Sequence, residues 1–168
     1  GTLITLEEDS MENALVSGIA FQKDQIKFTL HGVGDTPGTA FKILGPVSDA
    51  EVEVDVIVQN VSVDGKTDFT FTVASEDKDT VKEVLDKLKD DVSYTELIID
   101  SNIAKVSIVG VGMRSQAGIA SKAFKALSEN GVNIQIICTS EIKITMVIEK
   151  ELVDKAVTVL HKEFELEK

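Results

Sequence analysis

Tryptophan is absent from this 168-residue sequence, and arginine, cysteine and tyrosine occur once each, as Arg114, Cys138 and Tyr94. A single cysteine excludes an internal disulfide and suits a reducing compartment, so a cytoplasmic location is expected. Cys138 closes the apolar run 134-IQIIC-138 with no histidine near it in sequence. That is the setting of a small core residue rather than a catalytic thiol. The two histidines, His31 and His161, stand far apart and show no metal-ligand spacing, so no metal is expected. Basic residues are scarce, 17 against 29 acidic ones, for a net charge of -12. Nucleic acid is disfavoured as a partner, because phosphate binding needs a basic face. A lone arginine leaves only one candidate for any phosphate clamp. No apolar run approaches the roughly 20 residues of a membrane span, and no membrane partner is expected.

What remains is ordinary for a globular fold: 43% of residues are hydrophobic and 27% charged. The apolar period switches repeatedly between two and 3.6 residues. Segments 14-ALVSGIAF-21 and 25-QIKFTLHGV-33 read as two strands. The turn 32-GVGDTPG-38 then opens a helix through Phe41, Ile43 and Leu44, with Pro37 near its first turn. Gly45-Pro46, two breakers together, are expected to end that helix. Next come a strand at 52-VEVDVIVQNV-61, the hairpin signal Asp64-Gly65, and a returning strand 69-FTFTVA-74. A helix starting at Ser75 carries Val81, Val84, Leu85 and Leu88 at helical spacing, and a strand follows near residues 94–100.

The second half repeats this order. Strand 104-AKVSIVGVG-112 leads through 113-MRSQAG-118 into helix 119–130, which Gly131 closes. Strands 133-NIQIICTS-140 and 142-IKITMVIE-149 precede a last helix through Val153, Ala156, Val157, Leu160 and Phe164. Gly38 aligns with Gly118, Glu53 with Asn133 and Asn60 with Ser140, all 80 residues apart. Beyond the longer first hairpin the offset falls to 75, pairing Val73 with Ile148 and Leu85 with Leu160. Each copy reads β-α-β-β-α, and the first adds a final strand. That is the split βαβ, ferredoxin-like pattern, of α+β class, with an antiparallel sheet and both helices on one face. The second copy lacks its last strand, and segment 14–21 is expected to supply it.

The segments 16-VSGIA-20, 34-GDTPGTAFKIL-44, 56-VIVQNVS-62, 67-TDFTFTV-73, 105-KVSIVGVGM-113 and 137-ICTSEIKI-144 resemble, in that order, the regulatory region of aspartokinases. The resemblance covers nearly the whole chain and implies two ACT domains, at residues 22–101 and 102–168. Residues 1–15 read as a linker, with 1-GTLIT-5 resembling the tail of the kinase's catalytic domain. Some members make a separate regulatory subunit from an internal start near a methionine placed like Met11. Gly1 to Ser10 would be missing from such a subunit, which favours a piece of a longer kinase.

The resemblance further implies free threonine and lysine as effectors, held at ACT-domain interfaces, with a kinase catalytic domain or subunit and a second copy of the chain as partners. A zwitterion needs donors for its carboxylate and acceptors for its ammonium. Helix N-termini present unpaired N–H groups and partial positive charge, and Gly38 and Gly118 allow close backbone approach. Gln59 both donates and accepts, which suits a hydroxylated side chain. The first implied site takes Asp35, Thr36, Pro37, Gly38, Thr39, Ala40 and Gln59 with Asn133 and Ile134 of the other copy. The second takes Met113, Gly118, Ile119, Thr139, Ser140 and Glu141 with Ser62, and Glu141 answers a lysine ε-ammonium. Some relatives carry threonine where Ala120 stands. Plainer roles exist for the same residues: Asp35 as a helix N-cap, Gln59 and Asn60 as a polar strand end, Ser140 and Glu141 as a tight turn.

Intrinsic catalysis is not expected. GVGDTPG fails the GxGxxG spacing, and no GxxxxGK[ST] loop occurs. An acyl-phosphate hydrolase on this fold would want an arginine in the first loop, and the first copy has none. No nucleophile–base pair or cofactor motif emerges. The alternative to an amino-acid sensor is a generic ACT-type module that regulates another enzyme without a ligand of its own.

Overall fold

A computed structural model describes residues 16–110 and 116–166. The expected linker at residues 1–15 and Met113, expected in the second effector site, lie outside that range. The chain divides into two compact units, residues 24–102 and residues 16–23 with 103–166 of the described chain.

The unit at 24–102 is built in the order strand, helix, strand, strand, helix, strand. Its elements are the second half of β1 (Val16–Gly34), α1 (Thr39–Asp49), β2 (Ile57–Gln59), β3 (Lys66–Ala74), α2 (Lys78–Leu88) and the start of β4 (Glu96–Gly110). Across this sheet the strands run β2-β3-β1-β4, with β1 and β2 both antiparallel to β3. Alternation dictates the layering. Ile26, Phe28 and Leu30 of β1 and Phe69, Phe71 and Val73 of β3 are buried, facing Ile43, Val47, Val81 and Leu85 of the helices. Phe28 and Phe71 stack with centroids 5.5 Å apart, a geometry that adds about 1 kcal/mol to their burial.

The other unit uses the first half of β1, the rest of β4, α3 (Gln116–Glu129), β5 (Ile136–Thr139), β6 (Lys143–Glu149) and α4 (Val153–Glu163). Its strand order is β1-β4-β6-β5. The start of β1 therefore occupies the place that a final strand holds in the other unit, and Val16 is buried in its core with Val106, Ile144, Met146 and Leu160. Both units have the α+β, ferredoxin-like arrangement that the repeat implies.

The repeat extends to hydrogen bonds. Thr29 and Thr70 join hydroxyls across β1 and β3 at 3.2 Å, and Ser107 and Thr145 do so across β4 and β6 at 2.9 Å. The Asp55 N–H donates to Thr72 O, as the Gln135 N–H does to Val147 O, 80 and 75 residues on.

Several sequence expectations fail locally: strands 94–100 and 104–112 are one continuous β4, the strand expected at 133–140 shortens to Ile136–Thr139, and three further differences have visible causes. The two strands expected at 14–21 and 25–33 are one continuous β1 through 22-QKDQ-25, because four polar residues without glycine or proline make no turn. The strand expected at 52–61 shrinks to Ile57–Gln59, since the Val56 N–H is taken by the Thr72 hydroxyl rather than by a ladder carbonyl. Helix α1 does not stop at Gly45-Pro46 but continues to Asp49. Val47, fully buried, anchors the extra turn. Its burial is worth about 2 kcal/mol and offsets most of the roughly 3 kcal/mol cost of an interior proline.

Candidate functional site

Within unit 24–102 the turn between β1 and α1 is tied down by its own threonines. The Thr39 hydroxyl donates to Gly34 O (3.0 Å) and Thr36 O (2.9 Å), and the Asp35 N–H donates to Gly65 O (2.9 Å) of the β2–β3 hairpin. The hairpin holds its own shape. Asp64 (φ 55°) and Gly65 (φ 73°) occupy the two left-handed positions of a tight turn, bracketed by paired Val63–Lys66 backbone bonds. The turn before α1 is thus a rigid shelf.

Gly38 precedes α1 at φ 90°, a left-handed conformation that a side chain would strain, and no side chain caps the helix. Asp35 is therefore not an N-cap. Its carboxylate instead accepts from Gln59 Nε2 at 3.4 Å. Asp35, Thr36, Pro37, Gly38 and Gln59 are all exposed. The shelf presents a carboxylate, an amide and the open N-terminal N–H groups of a helix to solvent. That combination answers an ammonium and a carboxylate on one small molecule. Thr39 and Ala40 belong to the shelf's framework: Thr39 is buried with its hydroxyl engaged, and Ala40 packs against the core. Ser62, assigned to the second site, is half-buried in the hairpin beyond Gln59.

The other unit supplies Gly118, Ile119, Asn133, Ile134, Thr139, Ser140 and Glu141. Ile119 is buried in the core, so only its backbone can meet a ligand. Gly118, Thr139, Ser140 and Glu141 are exposed. Ser140 shapes the β5–β6 turn: its N–H donates to Lys143 O (2.9 Å), and its Oγ accepts from the Lys143 N–H (3.2 Å). The Gln116 side-chain amide donates to Ser140 O, clasping the start of α3 to this turn much as Gln59 meets Asp35 in the first copy. Gln116 was not singled out from sequence. Its signal is positional, since it lies 80 residues after Thr36 in the turn-to-helix junction. Asn133 and Ile134 line an open hollow of about 480 Å³ with Ser128, Gly131 and Val132, past the C-terminal end of α3.

Among the described residues there is no cluster of histidine, cysteine and carboxylates able to hold a metal, and no helix long and apolar enough to cross a membrane. Cys138 is half-buried on β5.

Comparison with known proteins gives these residues a context. Profiles of the ACT domain match residues 30–92 and 106–164. An aspartate kinase of Stutzerimonas stutzeri is 58% identical over 168 residues, and an aspartokinase of Pseudomonas aeruginosa 57% over 169. These alignments take in 99% of this chain, which spans 41% of each relative's length. A crystal structure of aspartokinase alpha and beta subunits shares 46% identity at a TM-score of 0.83, covering 89% of this chain and 99% of that one. The ligand-free regulatory subunit of aspartate kinase from Thermus thermophilus has 33% identity and a TM-score of 0.84 with the same coverage. The chain thus belongs to the aspartokinase family, in which it corresponds to the regulatory region of two ACT domains.

Proposed function

We propose that this chain is the amino-acid-sensing part of an aspartate kinase, a phosphotransferase acting on the aspartate side-chain carboxylate. In this reading it binds threonine, lysine or both and mediates feedback inhibition of the first step of aspartate-family amino acid biosynthesis. The observation that carries the reading is the Asp35–Gln59 pair standing at an uncapped helix N-terminus on a shelf braced by Thr39 and Gly65. Threonine's ammonium goes to Asp35, its carboxylate to the N–H groups after Gly38, and its hydroxyl to Gln59. Asn133 and Ile134 of a second ACT domain complete this first site. The second site uses Ser62, Met113, Gly118, Ile119, Thr139, Ser140 and Glu141, and lysine is assigned to it through the Glu141 carboxylate.

Linkage sets the mechanism. An effector inhibits only by binding the inactive arrangement more tightly than the active one, so the moving part is an interface between ACT domains or chains. A cytoplasmic homodimer joined through its ACT domains to the catalytic part of the kinase is the assembly this requires.

The test is a set of thermal melts of the chain with each of the twenty amino acids, with association state measured alongside. A ligand that prefers the folded state raises the melting temperature, by an amount equivalent to about 2.7 kcal/mol at a hundredfold excess over Kd. Of the twenty, only threonine, lysine or both should do so. A dimer that responds to neither at millimolar concentration favours the ligand-free ACT module instead.

A further inference from the structure

Strand β1 is interrupted once. Leu30 pairs with Phe69 and Val33 with Thr67, so His31 and Gly32 together oppose Asp68. This is a β-bulge, a device that re-aims side chains beside functional sites. In the other unit Ile108 pairs with Ile144 and Val109 with Lys143 in consecutive register. The two copies share the hydroxyl pairs Thr29–Thr70 and Ser107–Thr145 and diverge at the next residues along the strands.

Asp68 holds the bulge from one side. Its Oδ1 accepts from the Gly32 N–H at 3.2 Å and from His31 Nδ1 at 2.6 Å. Thr95 holds it from the other, donating to His31 O from its N–H (2.8 Å) and its hydroxyl (2.9 Å). Beside the bulge is a hollow of about 370 Å³ lined by His31, Lys66, Asp68, Thr95, Val61 and Val63. That volume suits a small ligand. Among the described residues Lys66 has no ion-pair partner. With Asp68 accepting from Nδ1, the imidazolium form of His31 keeps its Nε2–H as a second donor. The Asp68 carboxylate is engaged by His31 and the Gly32 N–H, which leaves the Lys66 ammonium as the hollow's charge open to one negative group. Val61 and Val63, 90% and 71% exposed, offer an apolar rest next to it.

We propose that the bulge hollow binds a small organic carboxylate with a short apolar body, its charge on His31 and Lys66 and its hydrocarbon on Val61 and Val63. Asp35 and the N-terminus of α1, which carry the first effector site, take no part in it, while Ser62 of the second site lies between Val61 and Val63. Inorganic phosphate shares the charge but has nothing to lay on the valines, so it separates the two sources of an anion.

The chain's two histidines make the test clean. Isobutyrate and, separately, inorganic phosphate are titrated into the 168-residue chain at pH 6 while the imidazole and amide NMR resonances are followed. Isobutyrate should give saturable shifts at His31, Val63 and Lys66, with Kd on the order of 1 mM, and none at His161. Lys66→Gln, a change on an exposed turn, should weaken binding about tenfold while leaving the rest of the spectrum in place. Asp68 and Lys66 are the charged groups lining the hollow with His31. Shifts that do not saturate, equal shifts at His161, tighter binding of phosphate than of isobutyrate, or unchanged binding in Lys66→Gln would each overturn the proposal.

Discussion

Gln59 Nε2 donates to Asp35 Oδ1 at 3.4 Å, joining the end of β2 to the turn before α1 across 24 residues of sequence. Both side chains are exposed, so their pairing contributes little to stability and leaves both groups accessible to a ligand. Asp35→Ala should weaken threonine binding about tenfold or more, because it removes a charge-assisted acceptor. It should change unfolding free energy by no more than about 0.5 kcal/mol. Calorimetric titration beside a urea melt separates the two effects. Native threonine affinity in the variant would remove Asp35 from the site.

Gly32→Ala tests the bulge itself. An added Cβ would stand 2.0 Å from the Thr95 hydroxyl oxygen, at a φ of 70° that disfavours any side chain. A loss of about 2–3 kcal/mol is expected from steric overlap and backbone strain together. Adding Thr95→Ala should recover part of it, since the overlap goes while the φ remains. Urea denaturation of both variants decides the outcome, and full recovery would mean that backbone strain contributes nothing.

Pro46→Ala asks what an interior proline costs in a helix anchored by tertiary contacts. The substitution restores an N–H within α1 and relieves the ring's crowding of the preceding turn. It also loosens the unfolded chain, which offsets part of the gain. A net stabilisation of about 1 kcal/mol is expected, read as a rise in the urea midpoint at constant slope. A fall would show that the proline ring's packing outweighs the missing bond.

Tyr94, the only tyrosine, titrates above its ordinary value of 10.0, first because burial penalises the phenolate and second because the Asp86 carboxylate repels it. Its hydroxyl donates to Leu85 O at 3.4 Å. A raised folded-state pKa means the folded chain holds the proton more tightly than the unfolded one. The associated stability is complete below pH 10 and is lost as pH rises through the folded value. Phenolate absorbance should show a single transition displaced to higher pH, and Tyr94→Phe should flatten the alkaline decline of stability. An undisplaced transition would contradict the assignment.

Several of these features were legible in the sequence for identifiable reasons. The offsets of 80 and 75 marked the repeat, because equivalent core positions such as Val73 and Ile148 need the same kind of side chain. Asp64-Gly65 marked the hairpin, because few residue pairs accept two successive positive φ angles. The Asp35 turn and Gln59 were singled out from motif and resemblance. Their contact was not, since nothing local to either residue encodes a partner 24 positions away. Gln116 was missed because it became informative only once the β5–β6 turn was seen to accept from it.

The sequence by itself determined the class and order of the elements, the duplication, the family resemblance and the absence of any recognisable catalytic motif. These follow from periodicity, turn chemistry and ordered motifs, which are properties of short segments. Tertiary structure decided the rest. It carried α1 through Gly45-Pro46, because the burial of Val47 offsets most of the proline's local cost. It turned Asp35 from a possible cap into Gln59's partner, and it inserted His31 and Gly32 opposite Asp68. Each of these outcomes depends on which distant groups meet, and a chain specifies that only through the packing of the whole.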